Sequence, residues 1–165
     1  MQLRAATRGS ALALWQTRYV AALLAPLGVS LDEVVVSTTG DRRTDVPIHT
    51  MGGKGVFVKE VQAAVLDGRA DLAVHSMKDL PSVTPDGLTL AAVPPRADPR
   101  DALVGCRLSE LGPGASVATG SIRRRAQLRA LRPDLRFSEL RGNIATRLTK
   151  AESFDAIIMA AAALE

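Results

Sequence analysis

Short runs of β-branched and aliphatic residues alternate along this chain with segments whose apolar residues recur every three or four positions. That alternation constrains the fold more than any other feature of the sequence. Residues 2–7 and 33–38 read as strands, the second carrying Val34-Val35-Val36. Residues 10–27 read as the helix between them, with Leu12, Trp15, Tyr19 and Leu23 along one face and Pro26 and Gly28 at its far end. Residues 56–67 return to helix, with Phe57, Val61 and Val65 on one side and Gly68 just beyond. Residues 72–75 and 88–93 are predicted strands. Between these elements, residues 39–55 show no apolar period and contain Gly40, Pro47, Gly52, Gly53 and Gly55, so they read as a long loop of the functional or mobile kind.

Pro94-Pro95-Arg96-Ala97-Asp98-Pro99 breaks regular structure. It divides the chain into a first lobe over 1–93, a hinge over 94–98 and a second lobe over 99–165. In the second lobe, 102–104, 116–119, 136–140 and 155–159 read as strands. Residues 121–131 and 143–151 read as helices, with Ser121 as N-cap. Strands alternating with helices imply an α/β fold with mainly parallel pairing. Residues 156–164 are continuously apolar and Glu165 follows without a helix stop signal, so the second lobe is expected to be truncated here; the alternative is a frayed apolar tail.

Composition excludes several classes. Of 165 residues, 47% are hydrophobic and 23% charged, a globular balance that argues against wholesale disorder. One cysteine, Cys106, cannot form an internal disulfide, and with only His49 and His75 a structural zinc cluster is excluded; no bound metal is expected. The N-terminal residues lack a secretory signal and no apolar run approaches membrane-helix length, so a cytoplasmic protein without a membrane partner is expected. The net charge of +4 is concentrated: residues 121–150 hold nine Lys/Arg against Asp134 and Glu139. Such an excess invites an anionic partner, although a solvated helix face explains it equally well. Nucleic acid is disfavoured, because single-strand binders use aromatic platforms and Trp15, Tyr19, Phe57, Phe137 and Phe154 sit at positions that core packing mostly explains.

Three motifs can carry chemistry. Gly52-Gly53-Lys54-Gly55 fails the P-loop pattern, and its glycines beside one cation suit a lid better than a fixed site. Val74-His75-Ser76-Met77-Lys78-Asp79 falls where a short parallel strand ends, the place where open α/β sheets bind ligands. Ser76 and Lys78 can hold an anion there, leaving Asp79 to face a cationic centre or an N–H donor and to move a proton. A Lys–Asp pair that merely caps a loop is the plainer alternative. His75 alternates with apolar strand residues and reads as a packing residue. Thr119-Gly120-Ser121-Ile122-Arg123-Arg124 places two arginines in the first turn of a helix, where free amides already attract anions. Leu140-Arg141-Gly142-Asn143, with Arg147, repeats that design after the next strand. Arg125, Arg129 and Arg132 form a stripe further round and read as solvated. A cleft between the lobes, with Asp79 and Lys78 on one wall and arginines on the other, suits a small polycarboxylate.

These motifs, in order, resemble the hydroxymethylbilane synthase (porphobilinogen deaminase) family. The match begins at Ala6-Thr7-Arg8-Gly9-Ser10 and Leu12-Ala13-Leu14-Trp15-Gln16 and continues through residues 52–60, 73–81 and 98–102. It extends through Ser121-Ile122-Arg123-Arg124, Leu140-Arg141-Gly142-Asn143 and Thr146-Arg147-Leu148. The resemblance implies two lobes of the periplasmic-binding-protein type and an enzyme of tetrapyrrole (haem) biosynthesis that joins porphobilinogen units head to tail, releasing ammonia. It implies that Asp79 is the catalytic aspartate, contacting pyrrole N–H groups. It implies that Arg8, Ser10, Ser76, Lys78, Thr119, Ser121, Arg123, Arg124, Arg141 and Arg147 bind acetate and propionate groups of the dipyrromethane cofactor and the growing pyrrole chain. Lys54 and Phe57 fall in the family's active-site loop. The cofactor's attachment cysteine belongs to a third domain beyond these residues, and Cys106 does not match it. Gly120 stands where the family commonly has a hydroxyl residue. A monomer is expected. The competing readings are a non-catalytic polycarboxylate-binding module, an inactive fragment of the enzyme, and an anionic-polymer binder using residues 121–150.

Overall fold

The computed structural model describes residues 1–42 and 55–164. They divide into two compact units, Met1–Pro95 and the residues from Arg96 onward. In the first unit, strand β1 (Gln2–Arg8) lies between β2 (Ser30–Val36) and β3 (Leu72–Ala73), all parallel. Ala5, Ala6 and Thr7 of β1 are fully buried, because both faces of the strand are covered. Ala6 joins Val61, Ala64 and Ala70 in a cluster with helix α3 (Lys59–Leu66). Facing the other way, the Thr7 hydroxyl donates to Ala13 O in helix α1 (Ala11–Leu24) at 3.3 Å.

Helix α1 begins where Ser10 accepts a hydrogen bond from Ala13 N at 3.3 Å. It gives way to a 3-10 turn at Ala25–Leu27, and Gly28 closes it at φ 72. Its buried residue is Thr17, whereas Trp15 is 58% exposed and Leu23 46%. The predicted Leu12–Trp15–Tyr19–Leu23 face is therefore not the core face. Trp15 and Tyr19 instead stack on each other, ring centroids 5.6 Å apart. A small-residue helix face packs more closely on the buried Ala5-Ala6-Thr7 run than an aromatic one can.

Two other expectations need correction. Residues 39–42, placed at the start of the long loop, form a one-turn helix α2 (Thr39–Arg42). The rest of that loop up to Lys54 lies outside the described residues. Residues 88–93 form no strand: among the described residues they pair with no neighbour, and Leu90 and Val93 stay 49% and 63% exposed. An apolar run becomes a strand only where a sheet edge in register accepts its backbone.

The second unit holds a four-stranded sheet in the order β4 (Asp101–Val104), β7 (Ala156–Ala160), β5 (Ser116–Ala118), β6 (Arg136–Ser138). β5, β6 and β7 are parallel; β4 runs antiparallel to β7, so Asp101 faces Ala160 and Val104 faces Ile157. Ala156, Ile157, Ile158 and Met159 are all buried. Ala156 and Ile158 pack with Val117, Leu128 and Leu135 on the face of helix α4 (Ile122–Leu131). Ile157 and Met159 pack with Ala118 and Leu140 on the face of helix α5 (Ile144–Ala151). The continuous apolar run is thus a central strand with a helix on each side, the mark of an α/β sheet. No helix among the described residues is long and apolar enough to cross a membrane.

Candidate functional site

In the first unit the candidate residues gather at the carboxyl ends of β1 and β3. Arg8 is the last residue of β1, and Ser10 caps α1 two residues later. Ser76 precedes a 3-10 turn at Met77–Asp79, and its hydroxyl donates to Gln16 Oε1 of α1 at 2.9 Å. That bond ties the Ser76 turn to α1, and Gln16 was not singled out in the sequence as a site residue. Asp79 is half-buried. Burial pushes its carboxyl pKa up, outweighing the opposing influence of Lys78 and Arg8. His75 Nε2 is buried with no hydrogen-bond partner in the structure. Burial, and then the positive charge of Arg8, push the imidazole pKa down. His75 therefore stays neutral at pH 7, as a packing residue does.

Arg8 is not a free cation. Its Nε lies 3.1 Å from both carboxylate oxygens of Asp41, and its Nη2 donates to Asp41 Oδ1. The guanidinium carbon sits 4.3 Å from the centroid of the Phe57 ring. Asp41 is held in turn by Thr38, whose backbone N and hydroxyl donate to Asp41 Oδ2 at 3.2 and 2.7 Å. Thr38 Oγ1 accepts from Asp41 N at 3.3 Å. Thr38-x-x-Asp41 is thus a capping box that starts α2. The motif is visible in the sequence, but its role in gripping Arg8 needs the fold. Lys54, the other residue expected beside the site, lies outside the described residues.

In the second unit the site forms where β5 and β6 end. Thr119 is buried and its hydroxyl accepts from Ser121 N at 3.2 Å; Ser121 in turn caps α4 by accepting from Arg124 N at 3.4 Å. After β6, Gly142 takes φ 117, where a Cβ would meet Thr146 at 2.7 Å. Asn143 caps α5, its Oδ1 accepting from Thr146 N at 2.9 Å. The tight turn directs Gly142 O at Arg147 Nε, 2.8 Å away. Burial, and then the positive charges of Arg124 and Arg141, lower the Arg147 pKa. Arg124 and Arg141 therefore lie near enough to Arg147 to act on its charge. Arg124 is already paired with Asp101, Nη2 to Oδ1 at 2.7 Å, with 15% of its side chain exposed. Arg123 is exposed on the same helical turn and makes no hydrogen bond or ion pair among the described residues.

Of the three arginines whose spacing predicts a solvated stripe, Arg129 is exposed as expected, whereas Arg125 and Arg132 are held by partners. Arg125 pairs with Glu139 at 2.7 Å, and Arg129 lies 5.8 Å over the Phe137 ring. Arg132 binds Asp134 and also donates to the carbonyls of Leu111, Gly112 and Leu108. The Glu139 carboxylate and the carbonyls of Leu108, Leu111 and Gly112 lie outside helix α4, beyond the reach of i to i+4 reasoning along one helix. A hollow of about 300 Å³ lies between β4 and α4, lined mostly by aliphatic residues such as Leu103, Leu128 and Ile158, with the paired Arg124 and Asp101 at its wall. Its aliphatic walls do not suit a polycarboxylate.

Cys106 is remote from the arginine cluster for a topological reason. β4 runs against β7, so the end of β4 lies where β7 begins, at the sheet edge opposite the ends of β5 and β6. Its Sγ is 3.8 Å from Asp155 O.

Each unit is thus an α/β module with its candidate cationic side chains at the carboxyl ends of parallel strands, the place where open α/β sheets bind ligands. Residues 3–165 match the family model described as "Porphobilinogen deaminase, dipyromethane cofactor binding domain". The chain is 54% identical to the porphobilinogen deaminase of Acidothermus cellulolyticus, over 98% of this chain and 50% of that protein. It is 52% identical to the enzyme of that name from Syntrophotalea carbinolica, over 99% of this chain and 54% of that protein. For the one from Nitratidesulfovibrio vulgaris the identity is 52%, over 97% and 53%. The chain belongs to the porphobilinogen deaminase family, and it spans about half the length of the curated relatives it matches.

Proposed function

We propose that these residues form the catalytic and acid-binding part of a hydroxymethylbilane synthase, which condenses porphobilinogen stepwise into a linear tetrapyrrole and releases ammonia. In this reading the two units are lobes of the periplasmic-binding-protein type, joined by a hinge at 94–98. The strand-end residues of each unit bind acidic groups of the ligands. The protein is a cytoplasmic monomer acting on small molecules. Against a nucleic-acid polymer stands the pairing of three of the nine basic side chains at 121–150, Arg124, Arg125 and Arg132, with Asp101, Glu139 and Asp134.

The observation that carries the reading is Asp79, a half-buried carboxyl beside Lys78 and Arg8 whose burial raises its proton affinity. When porphobilinogen loses its aminomethyl nitrogen as ammonia, positive charge develops over the pyrrole ring and its N–H. A carboxylate fixed in a partly dry site stabilises that charge as it forms. A carboxyl with raised pKa also exchanges a proton more readily near neutral pH. Arg8, Ser10, Ser76 and Lys78 bind acetate and propionate groups on the Asp79 side.

The arginine cluster fits dipyrromethane, which carries several carboxylates: a half-buried Arg147 near Arg124 and Arg141 gains from each anion that enters. Arg123, Thr119 and Ser121 complete that set. When bound, dipyrromethane supplies a pyrrole carbon as the nucleophile for the first condensation. Phe57 borders the Arg8 side of the site.

A protein of the relatives' full length that carries these residues is expected to release one ammonia per porphobilinogen consumed and to form a linear tetrapyrrole. Consumption without ammonia, or no consumption at all, refutes the reading.

A further inference from the structure

Arg8 is gripped on one side only. Asp41 occupies its Nε and Nη2, and the Phe57 ring covers a face of the guanidinium. Among the described residues Nη1 has no hydrogen-bond partner. Asp41 itself cannot swing away without breaking the Thr38 capping box. Burial alone pulls the Asp41 carboxyl pKa up, but its hydrogen bonds from Arg8 and Thr38 outweigh that, and it stays ionised. Gly40, the residue before it, is buried against the same ring: a Cβ there would fall 2.2 Å from Phe57 Cε1. The absent side chain at Gly40 is what lets the ring reach Arg8.

We propose that Asp41 is a positioning residue for Arg8, fixing the guanidinium by its Nε–Nη2 edge so that the Nη1 corner meets a substrate carboxylate beside Asp79. The inference rests on the reading of Arg8 as a carboxylate-binding residue given above. Gly40 and Phe57 complete the clamp. Arginine binds carboxylates best in a fixed planar orientation, and orientation held in advance removes the cost of ordering a long side chain on binding.

Charge and orientation predict opposite outcomes here. Neutralising Asp41 leaves Arg8 with more net positive field, so a ligand that responds to charge alone binds more tightly. A ligand that needs an oriented guanidinium binds less tightly. The test is titration of this chain with porphobilinogen, comparing the wild type with Asp41→Asn, Asp41→Glu and Arg8→Leu. The melting temperature and the ¹⁵N-detected Arg8 Nε–H resonance are recorded for each. Arg8→Leu is expected to weaken binding by about tenfold or more, the scale of one charge-assisted hydrogen bond. Asp41→Asn is expected to weaken it by a comparable factor and to lose the protected Nε–H resonance. Asp41→Glu keeps the charge on a longer arm and is expected to weaken binding too, which covers the case of Asp41→Asn failing to fold. If Arg8→Leu binds as the wild type does, the carboxylate-binding reading of Arg8 falls and the proposal with it. If Arg8→Leu weakens binding while the folded Asp41 variants bind equally or more tightly, only the positioning role is overturned.

Discussion

Replacing Asp79 by asparagine is expected to lower turnover by ~10²–10⁴-fold while leaving the melting temperature at pH 7 unchanged or raised. The two effects share one cause. Burial lifts the carboxyl pKa above its ordinary value of about 3.9, so the folded state holds the proton more tightly than the unfolded chain does. The stability this contributes is fully present below the unfolded pKa and is lost as pH rises through the folded one. At neutral pH the protein therefore carries the cost of a half-buried charge. Asparagine keeps the shape, removes the charge and escapes that cost, and it loses the ability to stabilise a cation or hold a mobile proton. The melting-temperature difference between variant and wild type should narrow as pH falls into the carboxylate range. Calorimetry across pH, with steady-state ammonia release by the full-length enzyme, checks both halves. A variant that melts well below the wild type at pH 7 would falsify the burial argument. One that turns over normally removes Asp79 from the chemistry.

The second large effect is expected at Arg147. Its guanidinium is half-buried, donates to Gly142 O at 2.8 Å and feels Arg124 and Arg141. Arg147→Leu removes one hydrogen bond and also relieves repulsion among like charges, so the net change in folding stability is expected to stay within about 1 kcal/mol. Loss of a charge-assisted contact to a ligand carboxylate is worth about 1.5–3 kcal/mol, or roughly 10- to 150-fold in affinity. Arg129→Leu serves as the control. Arg129 is exposed and lies over Phe137, outside the cluster, so its loss should change affinity less than about twofold. Equal losses at the two positions would mean that the ligand responds to the general positive charge of the α4–α5 surface and not to a built site.

The Ser121 cap was legible because its chemistry is local. Ser121 stands one residue before helix α4 and accepts the hydrogen bond that its position predicts, whereas Asn143, which reads as the first residue of a helix, is the cap of α5. The run at Ala156–Ala160 was legible as a strand because burial on two faces removes the polar alternation. What the sequence hid depends on pairing between distant segments. The apolar residues at 88–93 look like a strand, but no sheet edge among the described residues accepts them. The antiparallel course of β4 follows from where β7 runs and not from any feature of Asp101–Val104. At the site, Arg8 was visible as a cation, whereas its grip by Asp41 crosses 33 residues of sequence. The surroundings of Arg132 are hidden in the same way, because its carbonyl partners at Leu108, Leu111 and Gly112 lie at least 20 positions upstream.

The proposed function requires porphobilinogen to be felt both at Asp79 and at the arginine cluster. An NMR titration of the ¹⁵N-labelled chain with porphobilinogen, following the amides of Lys78 and Asp79 together with those of Gly142 and Arg147, checks this. Both groups of amides are expected to shift as porphobilinogen is added, and Arg147→Leu is expected to weaken the shift at Gly142. Titration that moves neither group, or only one of them, would overturn the proposed function.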